Sequence, residues 1–312
     1  MNSDYEMMVE AYSQAGGDAR ALQSSGIAHL VVHGNQVLGQ NLVPGLLLEP
    51  RATPDGVDIA LTVRAGVTLA HPVHLCFGVL PKEGEQHIAV KAVIERGARV
   101  SLLAHCVFPN AVRVVHKMDA DIRLEENARY DYTEAHYHGD SGGAEVLPRA
   151  RVQVGPGSAF TTVFSLLHGS VGALGLEYEA EGHDGSRIEM TSKVYGRGRD
   201  RIRIREAGLL AGRGACGLLK SRIALRDDAD CEIVNELTAA GPEAKGHVDC
   251  VEIVKDRARA QAIPVVKVMD ETARVTHEAA IGRVDRQQVL TLMARGLDEE
   301  QAIDLIVGGM LK

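Results

Sequence analysis

The sequence predicts an all-β core, a right-handed parallel β-helix, with a short helical segment before it and a helical cap after it. Three observations carry that expectation: strand-type alternation through the middle of the chain, a turn that returns at a fixed interval, and few aromatic residues. Hydrophobic residues make up 45% of the 312 positions but aromatics only 4%, with no Trp. A core of Val, Ile, Leu and Ala suits flat stacked β layers better than large irregular packing.

Residues 1–24 read as an N-terminal helical segment, in which Met7, Met8, Val9 and Leu22 are the apolar groups. Residues 25–283 read as the β-helix core. Strings such as VDIALTVRAG, ARVSLLAHCVF, DADIRLEENARYDY, RARVQVG and DCEIVNEL alternate apolar and polar residues, the period of half-buried strands. A short polar or Gly-rich piece followed by a small residue marks each turn: Ala98, Ala128, Ser158, Ser186, Gly214, Ala229, Ala258 and Ala273. These are separated by 30, 30, 28, 28, 15, 29 and 15 residues. A unit of that regularity is how stacked repeats show in sequence, and one made of strands alone points to a β-helix. A β-sandwich shares the alternation but not the constant step. The row two places after each small residue is then the expected inward ladder: Val100, Tyr130, Phe160, Ile188, Cys216, Cys231, Ala260 and Val275. Residues 284–312 read as two short helices broken at Gly296, with Leu292, Met293, Ile303, Leu305 and Ile306 as apolar groups. Terminal helices are expected to cap the exposed strand edges.

Charge and composition exclude several functions. The net charge is −8 with no basic run, so neither nucleic acid nor an anionic membrane is an expected partner. No apolar stretch is long enough to span a bilayer, and the acidic N-terminus lacks an apolar signal region, so a cytoplasmic location is expected. Five cysteines, Cys76, Cys106, Cys216, Cys231 and Cys250, are widely spaced without a CxxC, as expected of reduced thiols. No GxxxxGK[ST] sequence occurs, and the chain is not expected to hydrolyse ATP or to be an enzyme.

The C-terminal segment carries a more specific signal. KGHVDCVEIV is followed by VTHEAAIGRVDRQQVLTLMARGLDEEQAIDLIVGGML. This text resembles the C-terminal part of the SufB/SufD family, in a compact stand-alone version. The resemblance implies a scaffold for iron–sulfur cluster assembly, holding a transient cluster, [4Fe-4S] by expectation, between two β-helix subunits. It implies an ABC-type, SufC-like ATPase docked on the C-terminal helices of residues 284–312, a sulfur donor and an iron source. By the same resemblance Cys250 corresponds to a sulfur-accepting Cys, Glu278 to a cluster-holding Glu, and His277 to an important His. A chain with all three could act as a homodimer.

Elementary coordination chemistry agrees with that set. Thiolate suits iron–sulfur clusters, and harder imidazole and carboxylate donors make a site that releases its cargo. Cys250 and Glu278 are 28 residues apart, about one solenoid turn. One subunit offers too few ligands, and a two-fold interface doubles them. Alternation complicates the picture: it points His277 inward and Glu278 outward.

Other residues have blander readings. Cys76, Cys106 and Cys231 read as core. Cys216 also reads as core, with a secondary reading as sulfur relay or ligand. His136 and His138 form a His-x-His pair that is read as a surface or interface pair, with metal binding as the alternative. A polysaccharide-acting β-helix is the rival function, disfavoured by the lack of aromatic platforms, and a His-based metal module is another.

Overall fold

The computed structural model describes residues 3–311. Its strands form two sheets, of ten and nine strands, and from Gly56–Val63 onward successive strands alternate between them. In the first sheet Arg129, Ala159, Arg187, Cys216, Lys245 and Arg274 are successive parallel partners, steps of 30, 28, 29, 29 and 29 residues. The steps of 15 in the sequence are therefore crossings from one sheet to the other, and the steps near 29 are full turns. Only the strands near the N-terminus pair antiparallel: His29–His33 with Gln36–Asn41, and Leu46–Ala52 with Gly56–Val63. The β-solenoid expected from the sequence is the observed fold.

The turn signal has a backbone cause. Gly97, Asn127, Gly157, Gly185, Gly214 and Glu243 all have φ between 58° and 69°, and each immediately precedes a small residue. Glycine takes this left-handed conformation at no steric cost, and other residues resist it. The small residue that follows turns inward; Ala98, Ala128, Ser158, Ser186, Ala215 and Ala244 are all buried. Rung-to-rung bonds between backbone groups tie these turns together, from Gly97 N–H to Glu126 O at 2.9 Å through Gly214 N–H to Pro242 O at 2.8 Å. Glu243 is the misfit in this column. Its ion pair with Arg213 is exposed and contributes little. Glu243→Gly should therefore raise stability by up to about 1 kcal/mol, read as a higher urea midpoint; a lower midpoint would show the strain to be offset.

The inward ladder forms as expected except in one rung. Val100, Tyr130, Phe160, Ile188 and Cys231 are buried, and Tyr130 stacks on Phe160 with ring centroids 5.9 Å apart. Such stacking adds about 1 kcal/mol beyond area burial. Cys216 departs from the row. The small residue of GRGAC is Ala215, not Gly214, so the rung partner of Ile188 is Gly217. Cys216 is half-buried at the turn, its Sγ 3.6 Å from the Gly214 carbonyl oxygen.

The helices lie on the outside of the first sheet. Helix α1 (Ser3–Gln14) packs Met8, Ala11 and Tyr12 on the outward side chains Val31, Cys76 and Val107. Cys76 is thus buried beneath a helix, outside the solenoid interior. Helices α2 (Arg286–Met293) and α3 (Glu299–Met310) fold back on Tyr195 and Ala224, using Val289, Ala302, Ile303 and Val307. Asp285 and Asp298 cap their N-termini. Neither helix covers the C-terminal strand edge. Across Arg259–Val268 and Arg274–Gly282 no side chain is buried, and Val268, Met269 and Ile281 are more than half exposed. The solenoid is open at that end.

Candidate functional site

Cys250 lies in the strand Lys245–Val254, one rung before the open end. Alternation in KGHVDCVEIV points Val248, Cys250 and Glu252 into the solenoid, and all three are buried. The rung behind Cys250 presents Ser221 and then Ser192; the rung in front presents Ala279. Across the interior the second sheet supplies Asn235 and Glu206, paired in register. The interior here is a polar column, not a dry apolar stack.

Its hydrogen bonds are incomplete. Asn235 Nδ2 donates to Cys250 Sγ at 3.2 Å, Ser221 Oγ to Glu252 Oε1 at 3.2 Å, and Ser192 Oγ to Glu206 Oε1 at 2.7 Å. Glu206 Oε2, Glu252 Oε2 and Asn235 Oδ1 have no partner among the described residues. Burial pushes the Glu206 and Glu252 carboxyls up to about 7. Burial also raises the Cys250 thiol, while hydrogen bonds from Ser221 and Asn235 pull it back. A thiol with two donors aimed at its sulfur and two carboxyls nearby can exchange its proton within the column. It can then act as nucleophile or metal ligand in the thiolate form.

The other expected ligands sit on the last rung. His277 is the rung partner of Val248 and takes the inward phase, but nothing follows it and it is exposed. Glu278 partners Asp249, on the outward face opposite to Cys250, and is exposed. Cys250 and Glu278 are thus on adjacent strands but on opposite faces within one chain, as the alternation had warned. Cys216 is at a turn, away from both. Glu252, Asn235, Ser221 and Glu206 escaped the sequence reading. Their signal was present: each is a polar residue in the inward phase of a strand.

His136 and His138 are not on the surface. Both are about 3% exposed and point into the solenoid from the strand Arg129–His138, with rings stacked at 5.6 Å. Beside them Glu134, fully buried, accepts from Tyr178 at 3.1 Å, faces His136 Nε2 at 2.7 Å, and lies 3.6 Å from the donating thiol of Cys106. Burial would push the Glu134 carboxyl up, but the hydrogen bonds to His136 and from the Tyr178 hydroxyl hold it below the ordinary value. Phe164, fully buried, stands on the rung between Glu134 and Ser192 and divides the two polar regions.

Residues 81–310 match the family model described as "SUF system FeS cluster assembly, SufBD core domain". This chain belongs to the SufBD family. An iron–sulfur cluster assembly SufBD family protein of Methanocaldococcus jannaschii is 35% identical over 282 residues, 90% of this chain and 89% of its own. A second, from Pyrococcus horikoshii, is 34% identical over 308 residues, 99% of this chain and 94% of its own. The iron–sulfur cluster assembly protein SufB of Bacillus subtilis matches at 29% over 70 residues, 22% of this chain.

The SufBD chain uses its C-terminal helices in a way the sequence did not show. Ile303 is buried against the solenoid, and Leu292, Met293 and Ile306 are half-buried in the same contact. Of the five expected docking residues only Leu305 is exposed, and Leu290 on α2 is exposed with it. No helix among the described residues is long and apolar enough to cross a membrane.

Proposed function

We propose that this chain is a scaffold on which iron–sulfur clusters are assembled as transient cargo, [4Fe-4S] by our reading, and that it works as a homodimer with a SufC-like ATPase. The observation that carries the reading is Cys250: a buried thiol in a polar column, one rung from an open solenoid end. Membership of an iron–sulfur assembly family supplies the chemical class.

The open end supports a two-fold contact. The strand edges of the last rung carry unpaired backbone groups and exposed Val266, Val268, Met269 and Ile281. Such an edge invites pairing with another chain. A second copy would bring its own His277 and Glu278 to the contact and double the ligand set. Iron would then meet the Cys250 thiolate from within and imidazole or carboxylate groups from the rim. The chain's own part is to hold the sulfur, take up the thiol proton on Glu252 or Glu206, and release the cluster because few ligands are thiolates. The exposed Leu290 and Leu305 offer the helical surface that an ATPase partner would use. Closure of that partner would open the contact.

Anaerobic reconstitution with iron and sulfide, followed by visible and Mössbauer spectra, tests the assignment. Cys250→Ala should lose most of the cluster, and Glu278→Ala should weaken it without abolishing it. Undiminished cluster in Cys250→Ala protein would remove the ligand role.

A further inference from the structure

The polar cluster in the middle of the solenoid has no part in the scheme above. The strand Arg99–Phe108, which holds Cys106, and the Cys250 strand are five rungs apart in the first sheet, roughly 24 Å at ordinary strand spacing. There Cys106 Sγ, Glu134 Oε1 and His136 Nε2 lie within 4.8 Å of one another, all three side chains buried. The neighbouring histidines are under-satisfied. Both ring nitrogens of His116, both of His138 and Nδ1 of His136 have no hydrogen-bond partner among the described residues. A neutral imidazole always carries one N–H, and leaving it bare in the interior costs about 1–3 kcal/mol. The sequence thus places three under-satisfied rings around a thiol and a carboxylate, on the neighbouring strands Arg99–Phe108, Arg113–Leu124 and Arg129–His138.

The geometry points to a resident divalent metal site inside the solenoid, with Cys106, Glu134 and His136 as ligands and an ion of the zinc or ferrous type as occupant. Thiolate, carboxylate and imidazole together are a donor set such ions accept. Charge favours occupancy. Binding M2+ displaces one proton, that of the Cys106 thiol, and the proton leaves to solvent. The dication, the Cys106 thiolate and the Glu134 carboxylate then sum to zero, with His136 neutral. A neutral centre is what a dry interior tolerates, whereas without the ion the carboxylate charge is met by hydrogen bonds alone. Coordination through His136 Nε2 moves its proton to Nδ1. His116 stands edge-on to His136, with ring centroids 6.1 Å apart, and offers a fourth donor from the second sheet. The ion would tie the two sheets together, and it is separate from the cluster cargo.

Cobalt(II) is the probe. The full-length protein is unfolded in chelator, refolded with Co2+ alone, and passed through gel filtration. The expected result is about one Co2+ per chain with a thiolate-to-metal charge-transfer band in the near-ultraviolet. Cys106→Ser should abolish the band, and Glu134→Gln should weaken retention at least about tenfold. Cys250→Ala should leave both unchanged, so failure here and failure of the scaffold reading are separable. X-ray absorption of the zinc-loaded wild type should show one sulfur among nitrogen and oxygen neighbours, a readout that needs no variant to fold. Wild-type protein that retains no metal, a band that survives Cys106→Ser, or a zinc shell without sulfur would overturn the assignment.

Discussion

Glu134→Ala should destabilise the metal-free protein by about 3–5 kcal/mol, because it leaves three buried groups without an acceptor at about 1–3 kcal/mol each, a large fraction of the stability of an ordinary domain. Glu134 is fully buried and gathers Cys106, His136 and Tyr178 around one carboxylate. Removing it leaves a thiol, an imidazole and a phenol facing a cavity without an acceptor. Burial already pushes the Cys106 thiol and Tyr178 hydroxyl far up, so neither can ionise to compensate. Glu134→Gln keeps one acceptor oxygen but turns an amide donor toward groups that are themselves donors. It should cost less, about 1–3 kcal/mol. Urea unfolding of both variants measures the difference. A cost below about 1 kcal/mol for the alanine variant would mean that water or a rearranged His138 replaces the carboxylate.

The second large effect is on pH. Glu206 and Glu252 have ordinary values of 4.5 and are pushed up by burial to about 7 in the folded chain. A raised carboxyl binds its proton more tightly when folded. The stability it contributes is complete below 4.5 and is lost as pH rises through about 7. Each group would then cost up to about 3 kcal/mol in alkaline solution. The buried histidines act in the opposite sense: burial pushes His105 down to about 4 and His116 to about 3 from 6.5, and lowers His138 as well. Their contribution is lost as pH falls below 6.5. The two sets oppose each other between 4.5 and 6.5, so stability should fall between 6.5 and about 7 because of the carboxyls and level off above that. Glu252→Gln isolates one of them. Its urea midpoint should match wild type at about pH 4 and exceed it at about pH 8. Parallel pH profiles for the two proteins would exclude a raised Glu252. A carboxyl that takes up the Cys250 thiol proton must itself be ionised, so cluster yield should rise as pH passes through about 7.

Some of the site is legible in the sequence. Cys250 stood out through the text around it, and the alternation of KGHVDCVEIV already contained its inward direction. The opposite facing of Glu278 followed from the same count. Glu252 and Asn235 are legible in principle, as polar residues in the inward phase, but a charged residue in a strand is ordinarily on the outside. His136 and His138 were misplaced for a related reason. Period two says that they share a face but not which face, and polarity suggested the solvent side. Cys216 leaves the inward row because Ala215, not Gly214, is the small residue of its turn, and a shift of one residue reverses every side chain on the strand.

The chain's sequence alone determined the solenoid, its rung of about 29 residues, the helical ends and the family to which it belongs. Those depend on local chemistry: alternation, left-handed turn positions and helix caps, all read within a few residues of one another. The tertiary structure decided what each rung places beside the next. It put Asn235 of one sheet on the sulfur of Cys250 in the other, gathered Cys106, Glu134 and His136 in the interior, and laid the C-terminal helices on Tyr195 and Ala224 so that the last rung stays open. Those contacts join residues 15 to more than 100 positions apart. Their partners are set by register and by the facing of two sheets, and no local pattern encodes either.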